Sequence, residues 1–219
     1  MATAQLLADQ PAGQRFLLHG VDWETYCKLR DALRGRHLHL TYDRGSLELG
    51  TLSLGHEWYG SMLGRFIETL TLELGQPLKS AGSTTLDRED LERGAGPDRC
   101  YYLKHEPLVR EKDEIDLTVD PPPDLALEID VSRSSIRRLG IYAALKIPEV
   151  WRFNGERIWV YRLTPEGEYV QVEHSGHFPL LPLPEGVSFL RRRNEMDENS
   201  LVRAFRDWVR ERIARNWDP

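Results

Sequence analysis

Cysteine is nearly absent from this chain. Cys27 and Cys100 are the only two among 219 residues, too few and too far apart for a disulfide framework or a cysteine-based zinc site. Both are expected to be reduced, structural thiols. Long apolar runs are missing as well, since no stretch approaches the roughly 20 residues that span a bilayer. That excludes a membrane-spanning helix. Residues 1–20 hold Asp9 and no basic cluster ahead of Leu6-Leu7, so they do not resemble a secretory signal, and a cytoplasmic location is expected. The histidines show no zinc spacing, and there is no internal repeat or low-complexity tract.

What is present suits a globular chain with one good core: 40% hydrophobic residues, with six Trp, eight Tyr and six Phe. A single domain over 1–219 is expected. The formal charge of −6 weighs against a non-specific nucleic-acid binder. The balance is less acidic than it looks. If Glu57, Asp98, Glu128 and Asp130 line one metal centre, the remaining residues carry −2, and 24 of the 29 basic residues are arginine. Such a surface can hold a local phosphate-binding patch.

Along the chain, residues 1–20 read as a loose leader. Asp22-Trp23-Glu24 opens an amphipathic helix to about Leu33, and a hairpin follows from His37-Leu38-His39-Leu40-Thr41-Tyr42 through Asp43-Arg44-Gly45 to Ser46-Leu47-Glu48-Leu49. From His56 to Leu74 the apolar positions keep helical spacing, and Gly75 with Pro77 stops the helix. Next come a strand near Leu78 to Leu86, a charged loop from Asp87 to Gly96, and a strand from Asp98 to Leu103. A charged excursion, Lys104 to Pro123, leads into a strand from Leu125 to Val131. Ser132-Arg133-Ser134-Ser135 then starts a helix to about Leu145. Glu149 to Phe153 and Arg157 to Tyr161 pair across a type I′ turn at Asn154-Gly155, Pro165-Glu166-Gly167 turns into Tyr169 to Val172, and the tail is helical.

Glu128 and Asp130 carry the strongest chemical signal. A strand alternates its side chains, so both acids point to one face while Leu127 and Ile129 point to the other. Two like charges on a half-buried face resist desolvation unless a cation or an arginine compensates them. The pair follows Gly96-Pro97-Asp98 by about thirty residues, an arrangement that looks like a metal-dependent nuclease centre.

From His56 the order is helix, strand, strand, strand, helix, strand. Acids stand at the head of the first helix, the start of the second strand and the end of the third. This order resembles the core of the PD-(D/E)XK nuclease superfamily. The segments Leu40 to Glu48, His56-Glu57, Gly82-Ser83-Thr84-Thr85, Pro97-Asp98, Pro122 to Asp130 and Ile141 to Trp151 are similar in particular to the Uma2 family. That family was formerly a domain of unknown function and is now grouped with restriction endonucleases. The resemblance covers roughly Gly20 to the C-terminal helix. It implies an α/β fold with a restriction-endonuclease-like core (αβββαβ) at about 56–154, a mixed central sheet flanked by helices. The accessory elements would be an N-terminal helix and hairpin over 20–50 and further elements, ending in a C-terminal helix, over 156–215.

The resemblance further implies a DNA endonuclease using Mg²⁺ or Mn²⁺. Asp98 and Glu128 would be its metal-binding acids, with Asp130 as a further ligand, Glu57 as a ligand or water-positioning group, and a homodimer as a plausible assembly. Hard carboxylate oxygens suit such an ion. Asp124 is a rival to Asp98, but it lies about 13 Å from Glu128 along an extended strand. The superfamily's lysine, two residues after the acid, is replaced here by Asp130. Arg138, four residues before Tyr142, takes the place of a displaced lysine and would serve as an electrostatic group, not a base. Blander readings stand beside these. Glu57 can be a dipole-favouring residue at a helix head, Glu48 a solvated acid, Tyr101 and Tyr102 core residues, and Arg133 and Arg137 solvating side chains. A catalytically silent module binding nucleic acid or protein is the alternative function.

Overall fold

The structure is a computed structural model that describes residues 14–36, 38–130 and 136–216, which build two sheets and the helices that cover them. β1 (Arg15–His19) comes from the segment expected to be loose. It pairs antiparallel with the hairpin strand that follows it in the sheet, which is how its backbone groups are satisfied. Helix α1 (Trp23–Ala32) starts where Asp22 accepts a hydrogen bond from the Thr25 N–H at 2.7 Å. β2 (Leu38–Asp43) and β3 (Ser46–Thr51) form the expected hairpin, and positive φ at both Arg44 and Gly45 gives the two-residue turn that suits strand twist. Tyr26, Tyr42 and Leu47 are buried between α1 and this sheet.

Helix α2 (Leu54–Glu73) is capped by Ser53, whose hydroxyl accepts from the His56 N–H at 3.1 Å. Its stripe of Met62, Leu63, Phe66, Ile67 and Leu70 is almost wholly buried, at about 1.5–3 kcal/mol for each large apolar side chain. The strand expected near 78–86 divides in two. β4 (Lys79–Gly82) joins one sheet and β5 (Leu86–Arg88) the other, because the positive φ of Gly82 and a register shift between Ser80 and Gly82 turn the chain between layers. The charged loop that follows holds a further strand, β6 (Arg93–Ala95), which pairs with both β2 and β5. Alternation alone could not show it, since a strand of three residues completes barely one period.

β7 (Arg99–Tyr102), the short helix α3 (Glu106–Val109), β8 (Leu125–Ile129), helix α4 (Arg138–Ala144), β9 (Glu149–Phe153), β10 (Ile158–Leu163) and β11 (Tyr169–Val172) complete the second sheet and its cover. Helices α5 (Leu183–Ser188) and α6 (Glu198–Asn216) end the described chain. The residues expected to start the helix before α4, 132–135, and Val131 lie outside the described residues, as do 1–13 and His37. Asn154-Gly155 does not make the expected type I′ turn. Of the two residues only Gly155 has positive φ, and the Asn154 side chain instead accepts from the Glu156 and Arg157 N–H groups across a four-residue loop.

The first sheet runs β1-β3-β2-β6-β5 and the second β11-β10-β9-β8-β7-β4. In the second sheet only β8 and β9 are parallel, joined through α4. This is the mixed α/β architecture expected, with the accessory hairpin enlarged into a sheet of its own. Strand alternation divides β8: Leu125, Leu127 and Ile129 face the main core with α2, α5 and α6, while Ala126 faces α4. Glu128 shares the face of Ala126. Tyr101 and Tyr102 are both buried in the core, as the blander reading has it.

Candidate functional site

β7 and β8 run antiparallel with Arg99 opposite Leu127, so Asp98, one residue before β7, stands opposite Glu128. Their contacts confirm the alignment: the Ile129 N–H donates to Asp98 Oδ2 at 2.6 Å. Both acids are buried, at 8% and 7% exposure. Glu128 is enclosed by α4. Arg138, at the first position of that helix, donates to Oε2 at 2.8 Å, and the Tyr142 hydroxyl one turn on donates to Oε1 in a short hydrogen bond. The i, i+4 spacing of Arg138 and Tyr142 therefore lets one short helix hold both oxygens of one carboxylate.

Asp98 is less complete. His39 from β2 and His56 from the head of α2 bring ring nitrogens to 3.5 and 3.4 Å of its Oδ1, yet this buried oxygen accepts no hydrogen bond. Arg138 Nε is likewise buried with no hydrogen-bond partner. An acceptor and a donor are thus both left short beside the two acids, where groups of this kind ordinarily find partners.

The electrostatics follow from burial and neighbours. Burial disfavours the charged form of Asp98, but His56, His39 and Arg138 outweigh it and hold the carboxyl below its usual range. Glu128 goes the other way: burial, aided by the negative Asp98, raises it in spite of Arg138. Burial pushes His39 down to about 4, so the ring is neutral at ordinary pH. Burial also opposes charge on His56, but the Asp98 carboxylate beside it prevails and raises the imidazole. Arg138 stays charged, since Glu128 and Asp98 offset its burial.

The other expected residues lie near but do different things. Asp130 accepts a short ion pair from Arg152 of β9, the residue whose register partner is Glu128. Glu57 is exposed and lines the cavity beside Asp98; its neighbour His56 is the residue that turns to Asp98. Adjacent helical residues point about 100° apart, so a helix-head dipeptide offers only one of its side chains to a given point. The rival Asp124 is committed elsewhere, accepting from the Leu103 and His105 N–H groups at 2.8 and 2.9 Å. Glu48 is not solvated. It is buried and ion-paired with Arg15 at 2.7 Å. Arg133 lies outside the described residues.

His39, His56, Tyr142 and Arg152 are thus parts of the site that the search for acids passed over. Nothing in the sequence marked His39, which takes a polar position in a strand whose Leu40 and Tyr42 pack on the opposite face.

Among the described residues no three His, Cys, Asp or Glu side chains converge as a metal-holding group. A pair does oppose. Mg²⁺ is commonly bound through one or two carboxylates with water and substrate phosphate filling the rest, and Asp98 with its unpartnered Oδ1 beside Glu128 fits that donor set. A three-carboxylate cage including Asp130 does not fit the arrangement described here.

Two cavities flank the acid pair. One of about 700 Å³ opens on the Glu128 side and is lined by Asp130, Arg137, Arg138, Arg152 and Tyr169 among others. The other, of about 280 Å³, opens on the Asp98 side between His39, His56, Ser83 and Arg99. Among the described residues no helix is long and apolar enough to cross a membrane.

No curated protein matches the chain, but a family does. Residues 23–193 match the model of the Uma2 family, described as "Putative restriction endonuclease", and that span contains both sheets' central strands, both acids and His39, His56, Arg138, Tyr142 and Arg152. The chain belongs to the Uma2 family.

Proposed function

We propose that the protein is a divalent-metal-dependent DNA endonuclease whose centre is the Asp98–Glu128 pair. The observation that carries this reading is the combination of two directly opposed buried carboxylates with an oxygen on one of them that accepts no hydrogen bond and has only the His39 and His56 rings beside it. A bound Mg²⁺ or Mn²⁺ would supply Lewis acidity at a phosphoryl oxygen and a more acidic water.

The chain's own residues account for the rest. Asp98 and Glu128 would hold the ion as hard oxygen donors. Tyr142 fixes the rotamer of Glu128, and His56 balances the charge of Asp98. Arg138, permanently cationic beside the two acids, would stabilise negative charge that builds on a phosphate oxygen there. Asp130, in the position of the superfamily's lysine, acts through its ion pair by orienting Arg152 towards the same cavity.

The test is nicking of supercoiled DNA in Mg²⁺ or Mn²⁺, comparing wild type with Glu128→Gln. Metal-dependent nicking lost in the variant supports the assignment, and nicking that survives it refutes the centre. A folded wild type that binds DNA and never nicks under either metal would favour a silent binding module, the reading that the full engagement of Glu128 by Arg138 and Tyr142 otherwise supports.

A further inference from the structure

Most arginines in the described structure end in an ion pair or a side-chain hydrogen bond. Arg36, Arg99, Arg137, Arg157 and Arg191 have neither among the described residues. Three of these five border the acid pair. Arg137 lines the larger cavity beside Glu128, while Arg36 and Arg99 line the smaller one beside Asp98. An unpaired guanidinium at a cavity wall keeps its full set of donors for a ligand, and its fork geometry matches phosphate.

The smaller cavity also continues outward. It shares Arg36, Leu38, His39 and Ser83 with a third, open cleft of about 960 Å³ that runs past Thr84 and Lys79.

From this placement we infer that the DNA backbone is gripped on both flanks of the acid pair, with phosphates on either side of the reacting one held by Arg137 on the Glu128 flank and by Arg99 and Arg36 on the Asp98 flank. This rests on the proposed nuclease reading and extends it. The substrate is an internal stretch of strand, gripped on both sides of the cut, and not a mononucleotide or a chain end. Positive groups that track a backbone without reading bases suit binding of this kind.

The test is fluorescence anisotropy with a short labelled single strand and the matching duplex across a salt series. It is run in chelator and repeated with Glu128→Gln in Mg²⁺ so that no cleavage intervenes. Arg36→Ala, Arg99→Ala and Arg137→Ala should each weaken binding of the single strand at every sequence tried and lower the slope of log K against log salt by about 0.7, the triple variant by about 2. Arg157→Ala and Arg191→Ala, equally unpaired but away from the cavities, serve as controls and should bind as wild type.

The inference falls if the three variants bind both DNA forms as wild type does, or if the controls lose as much. If either occurs while wild-type nicking still depends on Glu128, only the phosphate grip is wrong. If wild type neither binds nor cuts DNA, the nuclease reading falls with it.

Discussion

The two ends of β8 both bury acids, and they differ in what holds those acids. At the entry, Asp124 Oδ2 accepts two backbone N–H groups and Oδ1 stands 2.7 Å from His105 Nδ1, while the adjacent Glu149 of β9 accepts from Trp151 Nε1, Ser175 Oγ and the Gly176 N–H. At the exit, side chains dominate: Arg138 and Tyr142 hold both oxygens of Glu128, and Asp98 Oδ1 has the His39 and His56 rings at 3.5 and 3.4 Å and accepts no hydrogen bond. The same residue types thus serve two purposes. Acids held by loop backbone lock loops to the sheet, and acids gathered with charged side chains at cavity walls can take part in binding.

Substitutions can break this contrast. The largest effect is expected at the exit: Asp98→Asn and Glu128→Gln should each lower metal-dependent nicking by more than about 100-fold, beyond what loss of a supporting contact usually costs. Asp124→Asn should leave the rate of the folded protein close to wild type.

Glu149→Ala should behave in the opposite sense. It strands three donors, at about 1–3 kcal/mol each, so thermal denaturation should show a loss of about 3 kcal/mol or more, or a midpoint roughly 6–12 °C lower for a chain of this size. Nicking measured well below that midpoint should persist. Loss of nicking at low temperature would make the entry end part of the chemistry and erase the contrast.

A pH experiment sharpens the exit end. Burial pushes His39 from its ordinary 6.5 down to about 4, so the unfolded chain takes up this proton before the folded one. Stability from the neutral ring is fully present above about 6.5 and is lost as pH falls towards 4, by as much as about 3 kcal/mol. Denaturant melts at pH 7 and pH 4.5 should show the fall, and His39→Gln should flatten it. An unchanged slope in that variant would assign the effect to another group.

The smallest effect is expected at Asp130. Its pair with Arg152 leaves about a third of each side chain exposed, at 29% and 34%, so Asp130→Asn should change stability by about 1 kcal/mol or less in the same denaturant melts and nicking only severalfold. A loss of nicking as deep as that of Glu128→Gln would make Asp130 a ligand after all.

Much of the fold was legible in the sequence because its main elements are long and strongly patterned. The stripe of α2, the hairpin at Arg44-Gly45 and the alternation of β8 each repeat often enough to be read. β5 and β6 were not, since strands of three residues carry almost no period and owe their existence to pairing, β6 with β2 and β5 with β6. At the site, the pairing of Asp98 with Glu128 followed from element order and the resemblance to the family, while alternation alone pairs Glu128 with Asp130. Invisible in sequence were the histidines that approach Asp98, because they come from β2 and the head of α2, and only the tertiary fold brings those elements to the end of β7. The ion pair of Asp130 was hidden for a similar reason: Arg152 reaches it only through the parallel register of β8 and β9.

The central claim, that Asp98 and Glu128 together form a cation site, is tested most directly by titrating Mn²⁺ into wild type and Asp98→Asn and following free Mn²⁺ by electron paramagnetic resonance. The account predicts that wild type removes Mn²⁺ from solution at a site lost in Asp98→Asn, with both proteins folded by circular dichroism. Equal binding by the two proteins, or none by wild type, would contradict it.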